Sequence, residues 1–462
     1  MAGMSQNLLP LGDFLPSDKW QTHVNAIFYG TLGSGIHDHF QTYVSRDYRL
    51  AYSLAEDFYR KALIQEESSK TLFVLEWGVG NGNLASSFLD RLKEIDENGV
   101  IYPRIKYILC DFSPEILKAV KNNPRLQKHQ DRSAAIQVDA ESMKCFKPNS
   151  VFKIISNEIW DDLACKALLL DEDLIYEEYL QPLLDPTQIP IQWDEFLPLF
   201  NQKNLERLSE FPPFLGNIKW ERTYQRVDIS DWPFAREIQS HLDQLTDENP
   251  IPINLGAFET LETAFNLLAE NSLGYTGMDY GMLTVEDVKV MGRPYFNLYG
   301  GQYTFMVNFP LMESVSKAIG FSDTTKQYQH HFVELQLKNP VISVLELLQS
   351  HPKITMMEPW ERDVLMLQTL NTFNGIYKSP YENQIDYPPI PGSPKKFIKK
   401  IEALSEKLDP YGIPDTVAYI TQAEIFLAGK KLRKLGYKEN RMRDAFTNFA
   451  QPVSFVYSCF EK

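Results

Sequence analysis

The stretch Thr71–Leu84, TLFVLEWGVGNGNL, decides how this chain is read. Leu72–Leu75 is an apolar, β-rich run that ends in Glu76, after which Gly78, Gly80 and Gly82 alternate. Leu84, Phe88, Leu89 and Leu92 follow at helical spacing. The pattern is strand, tight glycine loop, helix. Glycine lacks a Cβ and tolerates positive φ, so a ligand can approach the backbone of such a loop closely. A dinucleotide fingerprint is G-x-G-x-x-G, whereas this loop is E-x-G-x-G-x-G, with the third glycine one residue early and an acid ahead of the first. That version suits an uncharged nucleoside better than a pyrophosphate.

Outward from this stretch the chain alternates strand and helix. Ile105–Cys110 is a second apolar run ending at Asp111, and a helix starts at once with Ser113 as N-cap and Pro114 in its first position. A third run, AAIQV, ends at Asp139, and a fourth, VFKIIS, ends at Asn157-Glu158. Much later LGYTGM ends at Asp279. In an open parallel sheet ligands bind beyond the carboxyl ends of the strands, where strand order switches. Acids and amides at five strand ends are therefore placed to touch one ligand. The alternative for any one of them is an ordinary wet loop. Glu76 is placed to orient the loop or to accept from a ligand ammonium. Asp111 stands where an acid holds ribose hydroxyls, and Asp139 is placed to accept from an adenine amino group with Ala140 beside the ring. No basic residue at the loop offers to neutralise phosphate. S-adenosylmethionine fits this set better than a nicotinamide dinucleotide.

Composition narrows the field. The 462 residues are 44% apolar and 23% charged, the balance of a soluble globular protein. No run of about 18 apolar residues spans a membrane, and the first residues read as neither signal nor transit peptide. A net charge of −15 disfavours nucleic acid and is compatible with a basic protein segment as partner. The four cysteines, Cys110, Cys145, Cys165 and Cys459, form no CxxC pair, which argues against disulfides and a zinc site and for a cytoplasmic setting. His37, Asp38 and His39 are adjacent, so their side chains diverge; they read as a loop, and no metal site is expected.

The remaining organisation is expected as follows. Residues 1–70 form a helical cap, with a lead-in over 1–30 and a helix over Arg46–Ala62. Residues 71–163 and 256–340 are two halves of a nucleoside-binding core, with a helix over Leu261–Leu273. Residues 164–255, rich in aromatic and acidic clusters such as DEDLIYEEYL, are a mostly helical insertion that shapes a substrate pocket. Asn308 reads as an N-cap, and HHFVELQL, with His330-His331, reads as a strand. Residues 341–462 are a helical extension with a proline-rich loop at 379–395, helices at 396–407 and 415–435, and a final strand in PVSFVYSCF.

Asn157-Glu158-Ile159-Trp160-Asp161 lies where amino-group methyltransferases carry an Asn/Asp-Pro-Pro-aromatic motif. Displacement at a sulfonium methyl is mostly a positioning task. Glu158 and Asp161 have the chemistry to pair bidentately with a guanidinium, and Asn157 to orient an N–H. The alternative is that Asn157 caps the next helix and Trp160 is core.

These segments together resemble the MidA-type class I methyltransferases, a group that includes the mitochondrial complex I assembly factor acting as a protein arginine methyltransferase. The resemblance is carried by Leu75–Ala85, Tyr107–Leu117, Ile155–Leu163, GMDYGM at Gly277–Met282 and GGQYTFMVNFPLMESVSKAIGF at Gly300–Phe321. It implies an α/β, Rossmann-like fold with a seven-stranded, mostly parallel sheet. It implies S-adenosyl-L-methionine as methyl donor and an arginine-containing protein substrate. Residue by residue, it places Glu76, Gly78, Gly80 and Gly82 in the cofactor loop, Asp111 on ribose, Asn157, Glu158 and Asp161 at the reacting centre, and Asp279, Tyr280 and Gly281 in an Asp-Tyr-Gly motif. Two departures stand out: the family's Gly-Asp-Phe-x-Thr-Ser-Pro segment is reduced to His39–Val44, and Ala164 replaces a usual proline. A small-molecule methyltransferase and a non-catalytic cofactor-binding assembly factor are the competing readings, and a homodimer is left open.

Overall fold

The apolar run after Thr71 becomes the middle of a central sheet. We number its strands β1 (Leu72–Trp77), β2 (Ile105–Asp111), β3 (Ser133–Gln137), β4 (Lys153–Asn157), β5 (Tyr275–Met282), β6 (Asp323–Tyr328) and β7 (Ser454–Glu461). The computed structural model describes residues 8–32, 47–65, 70–140, 146–172, 174–245, 249–383, 387–447 and 452–462. Strand order is β6-β7-β5-β4-β1-β2-β3, with a two-residue strand Val307–Asn308 added to β5. Strands β1 to β5 pair in parallel, and β7 runs antiparallel to β5 and β6. This is the seven-stranded, mostly parallel sheet that the resemblance implies. Its order reverses beside β1, so the loops after β1 and β4 open side by side at the switch point. Strand β4 is buried along its whole length, as a parallel strand covered on both faces must be.

Helices supply the two covers. Asn83–Ile95 buries Leu84, Phe88, Leu89 and Leu92, and helix Arg49–Ile64 packs outside it, with the Phe58 and Phe88 rings 5.4 Å apart. On the other face lie Leu255–Leu267 and Phe309–Ile319. Ser113 caps the helix beginning at Pro114, and Asn308 caps Phe309–Ile319 by accepting from the Leu311 N–H, both as the sequence suggests.

Several expectations need correction. Instead of being mostly helical, the 164–255 insertion is organised on an antiparallel sheet of Lys166–Asp171, Leu174–Leu184, Lys219–Arg226 and Ile251–Ile253, edged by Leu9–Pro10 and Leu15–Pro16. Two acids of its DEDLIYEEYL cluster do not face solvent. Glu177 and Glu178 are buried, with Glu177 paired to Lys166, and Glu178 to Arg222 at 3.2 Å and to the Tyr295 hydroxyl at 2.6 Å. The run HHFVELQL is a helix, Gln329–Leu337, not a strand. The helix expected at Leu261–Leu273 starts earlier, at Leu255, and the 415–435 segment splits into a strand, Tyr419–Thr421, and a helix, Gln422–Leu435. Residues 1–30 are more than a lead-in, because Ser17–Leu32 is a helix. His37, Asp38, His39, the rest of the His39–Val44 segment and Cys145 lie outside the described residues.

The chain after Val341 builds its own apolar core around Leu347, Leu367, Phe373, Ile420 and Leu432. Arg49 fastens it to the core around the central sheet. This buried guanidinium donates to the Tyr419 carbonyl at 2.7 Å and bidentately to Glu424 at 2.9 and 2.7 Å. No helix among the described residues is long and apolar enough to cross a membrane.

Candidate functional site

The glycine loop needs its glycines. Gly78, Gly80 and Gly82 have φ of 70°, 52° and 76°, a region that side chains disfavour. A Cβ on Gly78 would lie 2.4 Å from Ile159 Cγ2. The Gly78 N–H donates to the Cys110 carbonyl at 3.0 Å, tying the loop to the end of β2. Gly82 caps the following helix, and a Cβ there would lie 2.7 Å from Leu126. The loop is held from outside by Asn123, whose amide donates to the Asn81 carbonyl at 2.8 Å.

Beneath the loop Glu76 is buried and accepts from the Tyr107 hydroxyl at 2.6 Å. Burial first, and repulsion from Asp111, push its carboxyl up to about 8, against the Tyr107 bond that pulls it down. Asp111 is also buried; one oxygen accepts from the Ser113 N–H at 2.9 Å, and burial raises it to about 6. Asp139 is exposed and Ala140 half-buried beside it.

The turn after β4 carries the densest chemistry. Asn157 donates to Glu158 Oε1 at 3.1 Å. Glu158 itself has φ 51°, which for a residue with a side chain costs of order 1–3 kcal/mol and persists only when its surroundings impose it. Two groups impose it here. The Glu158 N–H donates to the Met278 carbonyl at 2.7 Å, and Asp279 Oδ2 accepts from the N–H groups of Trp160 and Asp161 at 2.9 and 3.2 Å. Trp160 then locks the turn into the core against Tyr275, Phe309 and Phe460, with its N–H on Thr260. Close packing over Gly277, where a Cβ would lie 1.9 Å from the indole, makes room for it.

Asp161 follows, 4% exposed. Its Oδ2 accepts from the Tyr280 hydroxyl at 2.8 Å, and among the described residues its Oδ1 has no hydrogen-bond partner. Burial raises this carboxyl to about 6, against the Tyr280 bond. The adjacent Asp162 is raised further by burial and by Asp161, yet its oxygens are fully engaged by Tyr29, Gln302 and Asn25.

These groups line one cavity of about 1570 Å³. Glu76, Gly78, Gly80, Asp111, Asp139, Ala140, Asn157, Glu158 and Asp161 all reach it, so most of the residues singled out in the sequence converge. Gly82, Asp279 and Trp160 do not line it. Gly82 shapes the turn, Asp279 caps the turn after β4, and Trp160 is core. Sequence reasoning missed Asn25, Tyr29, Asp162 and Gln302, which also line the cavity. Asp162 and Gln302 left a trace only as members of the segments Ile155–Leu163 and Gly300–Phe321 that carry the resemblance. The volume exceeds the roughly 300–1,000 Å³ of a small-molecule site, leaving room for a cofactor and an acceptor group together. Among the described residues its wall carries eight carboxylates, adding Glu346 and Asp444 to those named, against the single arginine Arg441. A positively charged ligand with a nucleoside body suits this wall and the glycine loop, as S-adenosylmethionine would.

The family model described as "Putative S-adenosyl-L-methionine-dependent methyltransferase" matches residues 53–334, more than half of the chain. No curated protein matches the sequence. Among solved structures, a COG1565 superfamily member from Burkholderia thailandensis bound to S-adenosyl-homocysteine is 13% identical, with a TM-score of 0.47, over 97% of this chain and 88% of that one. A phosphoethanolamine N-methyltransferase from Haemonchus contortus is 10% identical, with a TM-score of 0.33, over 93% of this chain and 60% of that one.

Proposed function

Because the chain belongs to the MidA-type family of S-adenosyl-L-methionine-dependent methyltransferases, we propose that it methylates a nitrogen of an arginine side chain in a protein substrate. When bound, the cofactor supplies an electrophilic methyl group on a positively charged sulfur. In this reading the loop of Gly78, Gly80 and Gly82 gives the cofactor close backbone approach, Asp111 accepts from its ribose hydroxyls, and Asp139 with Ala140 borders the adenine. Glu76, buried below, supports the loop.

The observation that carries the acceptor assignment is Asp161. Its Oδ1 is buried in the cavity wall with no donor among the described residues, while Tyr280 fixes Oδ2. A guanidinium offers planar, forked N–H donors that satisfy such an oxygen and leave donors for Glu158, whose strained backbone holds it beside Asn157. Methylation of a guanidinium nitrogen forms one N–C bond as the methyl–sulfur bond breaks, the electron pair of the broken bond staying on sulfur, and it releases one N–H proton. Asp161, raised to about 6, is ionised at neutral pH and able to take that proton.

The test is transfer of labelled methyl from S-adenosylmethionine to lysate proteins, followed by identification of the labelled residue. Methylarginine is expected, with the signal lost in Glu158→Gln and Asp161→Asn while S-adenosylhomocysteine binding persists. Label confined to metabolites, or an undiminished signal in both variants, would overturn the assignment. Cofactor binding without any transfer would identify a non-catalytic module.

A further inference from the structure

The helix Ser17–Leu32 precedes the segment that carries the family match, yet it supplies one wall of the site. Its side chains reach the turn after β4 one helical turn at a time. Gln21 donates to the Asp161 carbonyl at 2.9 Å and accepts from the Cys165 N–H at 2.9 Å. Asn25 donates to Asp162 Oδ1 at 3.3 Å and to the Tyr303 carbonyl at 2.9 Å, and accepts from the Tyr303 N–H at 2.9 Å. Tyr29 donates from its hydroxyl to Asp162 Oδ2 and accepts from the Gln302 amide at 2.7 Å. The spacing of four residues puts all three on one helix face. The Tyr29 ring also meets Phe112 edge-on, with centroids 6.0 Å apart, and Phe112 directly follows Asp111 at the cofactor end of the cavity.

We propose that Tyr29 is a positioning residue for methyl transfer, whose hydroxyl, together with Gln302, fixes the Asp162 carboxylate so that Asp161 alone is left to meet the acceptor. Two neighbouring buried carboxyls cannot both be left without donors. The structure divides them. Asp162 receives Tyr29, Gln302 and Asn25, whereas Asp161 keeps an oxygen in the same wall that no described residue partners. Without the Tyr29 hydroxyl, Asp162 Oδ2 loses its donor and competes with Asp161 for Tyr280 or for the acceptor. The ring meanwhile stays against Phe112, so the cofactor end is unaffected. This inference rests on the proposed function.

The experiment uses the full chain and three variants, Tyr29→Phe, Asp162→Asn and the double variant. S-adenosylhomocysteine binding is measured by calorimetry, and labelled methyl transfer to lysate protein is measured at saturating cofactor. Tyr29→Phe is expected to bind S-adenosylhomocysteine as the unaltered chain does while transfer falls about 10–100-fold, the size of effect expected from a misplaced reacting group. If Tyr29 acts through Asp162, the double variant falls no further than Asp162→Asn alone. Unaltered transfer in Tyr29→Phe would overturn the proposal. So would a loss matched by an equal loss of cofactor binding, or losses that multiply in the double variant. If the unaltered chain itself transfers no label to protein, the proposed function fails, and this inference with it.

Discussion

Replacing Gly78 by alanine tests whether the loop after β1 is a close-approach surface for the cofactor. Two costs follow from the structure. Gly78 sits at φ 70°, and the left-handed region costs an L-residue about 1–2 kcal/mol. The new Cβ would lie 2.4 Å from Ile159 Cγ2, more than 1 Å inside the ordinary carbon contact of about 3.5 Å. Ile159 is β-branched and stiff at χ1, and it is held between strained Glu158 and core-locked Trp160. It cannot swing away without moving the turn after β4, and overpacking of that kind costs about 1–3 kcal/mol. The sum is about 2–5 kcal/mol. Because the strained segment is the binding loop, we expect most of it to appear as weaker S-adenosylhomocysteine binding. At tenfold per 1.4 kcal/mol that is roughly 30-fold to several thousand-fold. Calorimetric titration gives the affinity, and thermal unfolding without ligand gives the share borne by the fold. Ile159→Ala makes room for the new methyl, so the double variant should recover the clash and retain the φ cost. A Gly78→Ala chain that binds within about twofold of the unaltered one would refute the reasoning, since that allows less than 0.5 kcal/mol.

Other substitutions probe the supporting structure. Burial lifts Glu76 from 4.5 to about 8, so the folded chain keeps a proton that the unfolded chain releases across that window, and stability falls as pH rises through it. Glu76→Gln keeps an acceptor for Tyr107; it should raise the unfolding temperature at pH 8, by at most about 5 kcal/mol of stability, and match the unaltered chain near pH 4. Gly277→Ala would press a methyl into the Trp160 ring from 1.9 Å, and should lose stability at the upper end of about 1–3 kcal/mol in urea unfolding, with lower cofactor affinity as the turn shifts. Arg49→Ala removes the buried partner of Glu424 and a donor to Tyr419; a loss of about 3–5 kcal/mol is expected in denaturant titration.

How much of this was legible before folding depends on the range of the interactions involved. The glycine loop, Asp111, Asn157, Glu158 and Asp161 stand out in the sequence because strand ends and tight turns have local signatures, and all of them except Gly82 line one cavity. The insertion was misread as helical because DEDLIYEEYL offers no clue that its acids would be buried opposite Lys166 of the adjoining strand and Arg222, more than 40 residues further along the chain. HHFVELQL was misread because a short apolar run fits strand and helix alike; packing of Phe332 against Tyr457 of β7, with rings 4.1 Å apart, accompanies the helix. Asp279 was assigned to the ligand because strand-end acids usually face it. Which N–H groups would surround it was not readable, and they are those of Trp160 and Asp161.

By itself the sequence determined the alternation of strand and helix, the glycine loop that needs positive φ, and the acids at the strand ends, since each depends on neighbours a few residues apart. Only the tertiary structure decided which carboxylates are satisfied and which are left for a ligand. Asp279 is consumed by N–H groups of the turn after β4, and Asp162 by donors from the N-terminal helix and Gln302, while among the described residues Asp161 keeps one oxygen without a partner. That distinction rests on hydrogen bonds spanning more than 100 residues, which no local pattern records.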